Sequence, residues 1–158
     1  MGELTVRDFL NALPHRVDLA MLVPGTPLKE VVRAMVAGHR RRVVYVVDAD
    51  GALQGAISLD TLRDTIFRYY QEDQVADALV VTERLLEVFA SEKAEDVMSS
   101  GLAVCRLHES LQAVISRMIE GNLRDLPVLD DDGRLIADLD ILCLLELWLL
   151  KNEGSLFP

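Results

Sequence analysis

The sequence predicts a mixed α/β protein, α+β in how its helices and hairpins are arranged, built from two βαββα repeats. Three observations carry that expectation. An apolar stripe at Leu28, Val31, Val32, Met35 and Val36 returns 83 residues later at Leu111, Val114, Ile115, Met118 and Ile119. The spacing i, i+3, i+4, i+7, i+8 is that of a helix packed on one side. Each stripe runs through a glycine, Gly38 or Gly121, into a short apolar run. Each run then meets an acidic turn, Asp48-Ala49-Asp50-Gly51 or Asp130-Asp131-Asp132-Gly133. Helix, stop, strand and turn recurring in register mark an internal duplication.

Taken in order, each copy opens on a short strand, Ala20 to Val23 or Leu102 to Arg106. In the first helix Thr26 is the expected N-cap, Pro27 the first helical residue and Gly38 the C′ residue. Gly121 is expected to end the second helix in the same way. The next strands are Val43-Val44-Tyr45-Val46-Val47 and Leu126-Pro127-Val128-Leu129, continuous apolar runs suited to burial on both faces. An Asp-Gly turn between apolar runs signals a hairpin, with return arms Leu53 to Ser58 and Leu135 to Asp140. A second helix starts near Asp60 and near Ile141. The expected organisation is repeat one over 1–70, a helical linker over 71–93 and repeat two over 94–158. Within the joining segment Gln71-Glu72-Asp73-Gln74 is a polar break, and helix resumes through Leu85, Leu86 and Phe89. Tyr69 and Tyr70 are expected to pack on a neighbour. One copy of roughly 50 residues buries too little surface alone, so the two are expected to share a core.

Composition narrows the function classes. The 158 residues are 51% apolar and 27% charged, a globular balance, and the net charge is −10. That charge opposes phosphate backbones and anionic membrane surfaces, so neither nucleic acid nor membrane is an expected partner. Cys105 and Cys143 form no CxxC pair, and His15, His39 and His108 show no HxH or HExxH spacing, so no metal site is read. The cysteines read as buried thiols in a reducing cytosol. Met1 to Phe9 lacks the apolar run of a signal peptide. The most apolar stretch, Leu139 to Leu150, is shorter than the roughly 20 residues a bilayer requires and contains Asp140 and Glu146. A cytoplasmic protein is expected. No GxSxG, P-loop or GxGxxG is present to suggest an enzyme.

The duplicated order resembles the CBS family, whose paired form is called a Bateman module. The residues that carry the resemblance in the first copy are Val6-Arg7-Asp8-Phe9, the Leu28 to Met35 helix, Val46-Val47-Asp48, Gly51 and Gly55-Ala56-Ile57-Ser58. In the second they are Asp96-Val97-Met98, the Leu111 to Met118 helix, Leu126-Pro127-Val128-Leu129-Asp130 and Gly133. The resemblance covers nearly the whole chain. It implies repeats paired about a pseudo-twofold axis, a disk-shaped homodimer, and inter-repeat clefts that take AMP, ATP or S-adenosylmethionine. It also implies that a bound ligand tunes an attached enzyme, channel or transporter.

The family's ligand pattern is Gly, two apolar residues, Ser or Thr, two residues, then Asp. The hydroxyl donates to a phosphate oxygen and the Asp accepts from the ribose hydroxyls. Gly55 and Ser58 match in the first copy. Thr61 holds the Asp position, and Asp60 lies one residue early, a rotation of about 100° on a helix. Ser58 reads equally as a helix N-cap. In the second copy Ala137 replaces the glycine, Asp140 the hydroxyl and Cys143 the Asp. A phosphorylated ligand is disfavoured there by charge. The basic island His39-Arg40-Arg41-Arg42 lies near the implied phosphate position, and Arg42 aligns with Arg124. These cations equally suit a helix C-terminus.

Two functions of different kinds follow. One is a ligand-sensing regulator using Gly55, Ser58, Asp60, Thr61, Arg42, Arg124 and Asp140. The other is a degenerate pair serving as a dimerisation or docking scaffold. A third reading is a trans-acting regulator of a channel or transporter. The last helix, with Leu144, Leu145, Trp148 and Leu149, is apolar on more than one side. A homodimer through the helices after Asp60 and Ile141 is therefore expected.

Overall fold

The computed structural model describes residues 3–14, 19–37, 42–65, 83, 86–87 and 89–156, apart from the side chains of 153–156. Gly38, His39, Arg40, Arg41, Tyr69, Tyr70, the Gln71 to Gln74 break and Leu85 lie outside the described residues. The chain divides into two compact units, Leu19–Leu102 and Met1–Asp18 with Ala103–Pro158. The units in space thus exchange the opening segments of the two sequence repeats.

In the first unit β1 (Met21–Leu22) runs parallel to β2 (Val43–Val47), which pairs antiparallel with β3 (Leu53–Ser58). The helix α2 (Leu28–Ala37) buries Leu28, Val31 and Met35. The second unit repeats this order. There β4 (Cys105–Arg106) is parallel to β5 (Asp125–Leu129), which is antiparallel to β6 (Leu135–Asp140). The helix α4 (Leu111–Glu120) buries Val114 and Met118, and α5 (Ile141–Leu156) follows β6 directly. The central strands β2 and β5 carry four consecutive buried residues each, as continuous apolar runs require.

The two hairpin turns are alike to the bond. Asp48 Oδ1 accepts from the amides of Asp50 and Ala52, and Asp130 Oδ1 from those of Asp132 and Arg134. Gly51 at φ 87° and Gly133 at φ 83° take the left-handed position that closes each turn.

The opening segments begin with matching ties in both units. α1 (Val6–Ala12) places Val6 and Phe9 in the core of the second unit. The short α3 (Ala94–Val97) places Ala94 in that of the first. Leu111 N donates to Leu4 O and Val6 N to Glu109 O. The counterparts are Leu28 N to Glu92 O and Ala94 N to Thr26 O. A capping box opens α1, with Asp8 N on Thr5 Oγ1 and Thr5 N on Asp8 Oδ2. Half of it recurs at α3, where Lys93 N donates to Asp96 Oδ2 at 2.9 Å.

Two expectations are corrected. Thr26 does not cap α2. Its hydroxyl donates to Val23 O at 2.6 Å, and Pro27 sits before the helix, bridged to Lys93. The tie to the opening segment claims the Thr26 carbonyl and sets where the helix begins. Gly121 is not the C′ residue of α4 either. It is the C-cap at φ −87°, and Asn122 at φ 50° takes the left-handed position. Leu123 N then bonds Met118 O and Asn122 N bonds Ile119 O, a Schellman closure. Among the described residues each unit carries its own buried cluster. Each repeat completes its core with a segment that sequence order assigns to its neighbour.

Candidate functional site

The predicted ligand residues other than Gly55 lie at one end of each hairpin. In the first unit Ser58 closes β3 opposite Val43, and Arg42 stands one residue before Val43. Leu59 N donates to Arg42 O at 3.0 Å, which ties the strand entrance to the helical residues 59–65. Ser58 Oγ accepts from Thr61 N at 3.2 Å and lies 3.1 Å from Thr61 Oγ1. The N-cap reading of Ser58 is therefore realised. Of the two hydroxyl protons, one is spent within the pair and the other is left to donate outward. Both side chains are half-buried.

Arg42 is exposed, and among the described residues no carboxylate pairs with it. Asp60 does not join the hydroxyl pair. Its carboxylate is exposed and faces Arg63 at 3.4 Å. The one-residue rotation that separates it from Thr61 sends it to the helix surface.

Gly55 has a different reason to be glycine. It is buried, and a Cβ there would sit 2.7 Å from both Met98 Sδ and Ser99 O. Ser99 and Ala56 exchange both backbone hydrogen bonds, 2.9 and 3.0 Å, so residues 98–99 lie across β3. Sequence reasoning missed this strap. Asp96-Val97-Met98 was legible as a motif, but its seat, some 40 residues back along the chain, was not.

The second unit repeats the frame with different chemistry. Ile141 N donates to Arg124 O at 3.2 Å, as Leu59 does to Arg42. Asp140 Oδ1 accepts from Cys143 N at 2.7 Å and so caps α5 where Ser58 caps its helix. Arg124 is exposed. Burial pushes the Cys143 thiol up to about 12, with Asp140 beside it adding to the effect. Cys143 is accordingly a neutral group at this end, unlike the aspartate it stands for.

The first end carries donors of the kinds that anions use: the Ser58–Thr61 hydroxyl pair at a helix start and, at the strand entrance, the exposed Arg42. The second end offers the exposed Arg124, but its helix start is capped by the Asp140 carboxylate. Among the described residues no cluster of His, Cys, Asp and Glu could hold a metal ion, and no helix is long and apolar enough to cross a membrane.

Two three-stranded sheets, each a parallel pair extended by a hairpin and flanked by helices, define a paired α/β module. The CBS domain profile matches residues 6–68 and 94–140, and the chain belongs to that family. MJ1225, an uncharacterized protein of Methanocaldococcus jannaschii, is 25% identical over 159 residues. The match takes in 88% of this chain and 52% of that protein, so the chain spans about half of its curated relative. The solved structure of CBSX2 in complex with AMP is 22% identical with a TM-score of 0.69, covering 94% of this chain and 98% of that one. The cytosolic domain of the Mg2+ channel MgtE in complex with ATP is 21% identical with a TM-score of 0.60. That likeness covers 82% of this chain and 44% of the MgtE chain. At these identities the likeness is one of fold.

Proposed function

We propose that this CBS pair is a regulatory module, without catalysis of its own, that takes an adenosine-type nucleotide at its first repeat and passes occupancy to a partner protein. The observation that carries this is the Ser58–Thr61 hydroxyl pair at a helix start, with Arg42, exposed and without a carboxylate partner among the described residues, at the entrance of the neighbouring strand. Hydroxyl and guanidinium are both groups that bind anions, and among the described residues no carboxylate pairs with Arg42. CBSX2 with AMP and MgtE with ATP supply the ligand class. Such nucleotides circulate in the cytosol, where this reading places the chain. The partner it regulates is an enzyme or a transporter acted on in trans.

A thermal-shift series with AMP, ADP, ATP, S-adenosylmethionine and NAD tests the reading. A ligand that binds only the folded state stabilises by RT ln(1 + [L]/Kd). One nucleotide should raise the midpoint by several degrees at saturation, and Arg42→Ala should abolish the rise. Ser58→Ala removes the helix cap too, so its shift is measured from its own lower baseline. If no compound moves the midpoint, the sensor reading fails.

A scaffold reading has its own observation. On α5 the side chains of Ile141, Leu142, Leu145, Trp148, Leu149 and Leu150 are each more than 40% exposed. So broad an apolar surface on a small unit fits a second copy of the chain. Dimerisation and ligand sensing are compatible, and the ligand series separates them.

A further inference from the structure

We infer that the carboxylate of Asp140, and not the loss of the glycine, closes the second repeat to phosphorylated ligands, so that each chain takes one nucleotide. This inference rests on the nucleotide reading above. Three positions distinguish the two ends: Gly55 against Ala137, Ser58 against Asp140, and Thr61 against Cys143. Each has a separate physical account.

The glycine belongs to packing. Gly55 lies under Met98 and Ser99, and a Cβ would collide with the Ser99 carbonyl. In the other unit the opening segment behaves differently. α3 ends at Val97, which frees Met98 and Ser99 to lie along β3, whereas α1 runs on to Ala12. The counterparts of Met98 and Ser99, Leu10 and Asn11, are therefore helical. Among the described residues no bridge forms on the outer edge of β6. Ala137 accordingly fits with 5% exposure. The exchange of glycine for alanine follows the strap and says nothing about a ligand.

The third position is neutral in both repeats. The Thr61 hydroxyl is engaged with Ser58. The Cys143 thiol packs on the core cluster and stays protonated at neutral pH. Neither supplies a carboxylate for ribose, and neither adds a charge.

Only the middle position remains. The frames around it coincide: an amide three residues on bonds the capping oxygen, and the amide after the cap bonds the arginine carbonyl. In that shared frame the first repeat presents a hydroxyl and the second a full negative charge. A phosphate at Asp140 would meet repulsion and gain no donor.

Isothermal titration with AMP and ATP on the whole chain, at fixed salt, tests this. Asp140→Asn keeps the cap and removes the charge, because asparagine caps as well as aspartate. Asp140→Ser also restores the hydroxyl. The wild type should bind one nucleotide per chain. Asp140→Ser should bind two, the second at least about tenfold tighter than any residual second-site binding in the wild type. Asp140→Asn should fall between. Arg42→Ala should remove the original site and leave the one created by Asp140→Ser. Circular dichroism and an unchanged midpoint for Asp140→Asn show that the cap survives. Two sites in the wild type, or one site in all three proteins, overturns the inference while the nucleotide reading stands. No binding by any of the three overturns both. Binding by Asp140→Ser alone upholds the inference and removes the first-repeat site.

Discussion

At the scale of single residues, the least replaceable side chain in the first unit is the missing one at Gly55. Its Cβ would lie 2.7 Å from a backbone oxygen that is itself paired across the strap. Gly55→Ala should cost about 1–3 kcal/mol, by analogy with overpacked cores, and lower the thermal midpoint by several degrees. Adding Met98→Ala should not restore it, because the Ser99 carbonyl remains. Full rescue would show that only the flexible methionine objects. A second residue-scale prediction concerns pH. The Arg117 guanidinium bonds Glu109 Oε1 at 2.6 Å and Val104 O at 2.7 Å, and Glu109 also accepts from Arg106 N at 2.7 Å. The Arg117 hydrogen bond holds the Glu109 carboxyl below its usual range. A lowered folded value means stabilisation that is full above the ordinary glutamate range and lost as the pH falls through the folded value. Both side chains are partly exposed, so the effect is about 1 kcal/mol. The midpoint of Glu109→Gln should start lower at pH 7 and fall less steeply on acidification. Parallel pH curves for the two proteins would contradict the assignment.

At the scale of elements, the exchanged opening segments decide which parts depend on which. Val6 and Phe9 are fully buried in the second unit, and Ala94 holds the equivalent place in the first. Phe9→Ala should therefore cost about 3–5 kcal/mol. Its effect should fall on strands β4 to β6 rather than on the hairpin of β2 and β3 nearer in sequence. Hydrogen exchange reads this directly. Amides of 125–140 should lose protection while those of 43–58 keep it. The reverse pattern would mean that α1 serves its own sequence repeat. The same scale explains the cap of α4. Asparagine tolerates the left-handed region, so the Schellman closure can use Asn122 and leave Gly121 as an ordinary turn of helix.

At the scale of the whole molecule, the apolar surface of α5 is the dominant feature. Leu147 is buried, whereas Leu142 and Trp148 are 59% and 61% exposed, so the helix shows apolar side chains to its own core and to its surroundings. A helix of this kind needs cover. A charge at the centre of that surface should prevent association. Sedimentation at tens of micromolar should show a dimer for the wild type and a monomer for Trp148→Glu, with the ligand response of Arg42 and Ser58 intact. A monomeric wild type would leave the helix to a different protein.

The sequence by itself determined the helices and hairpins of the duplicated pattern, whose causes are local. The stripes at Leu28 and Leu111 set the helices, the Asp-Gly turns set the hairpins, and their recurrence identified the family. Strand ends matched as well, Leu53–Ser58 and Leu135–Asp140, because a terminal cap and an apolar period mark them in one dimension. Ser58 was legible as a cap for the same reason. Tertiary structure decided the rest. It put α1 on the second repeat and residues 98–99 across β3, which sets a packing requirement at Gly55. It drew Thr26 away from the helix it precedes and left Asp60 at the surface beside Arg63. The seat of α1, the strap and the tie on the Thr26 carbonyl depend on partners distant in the chain, whereas Asp60 meets Arg63 three residues on. Local propensity and periodicity carry no information about which distant segment will supply the missing side of a core.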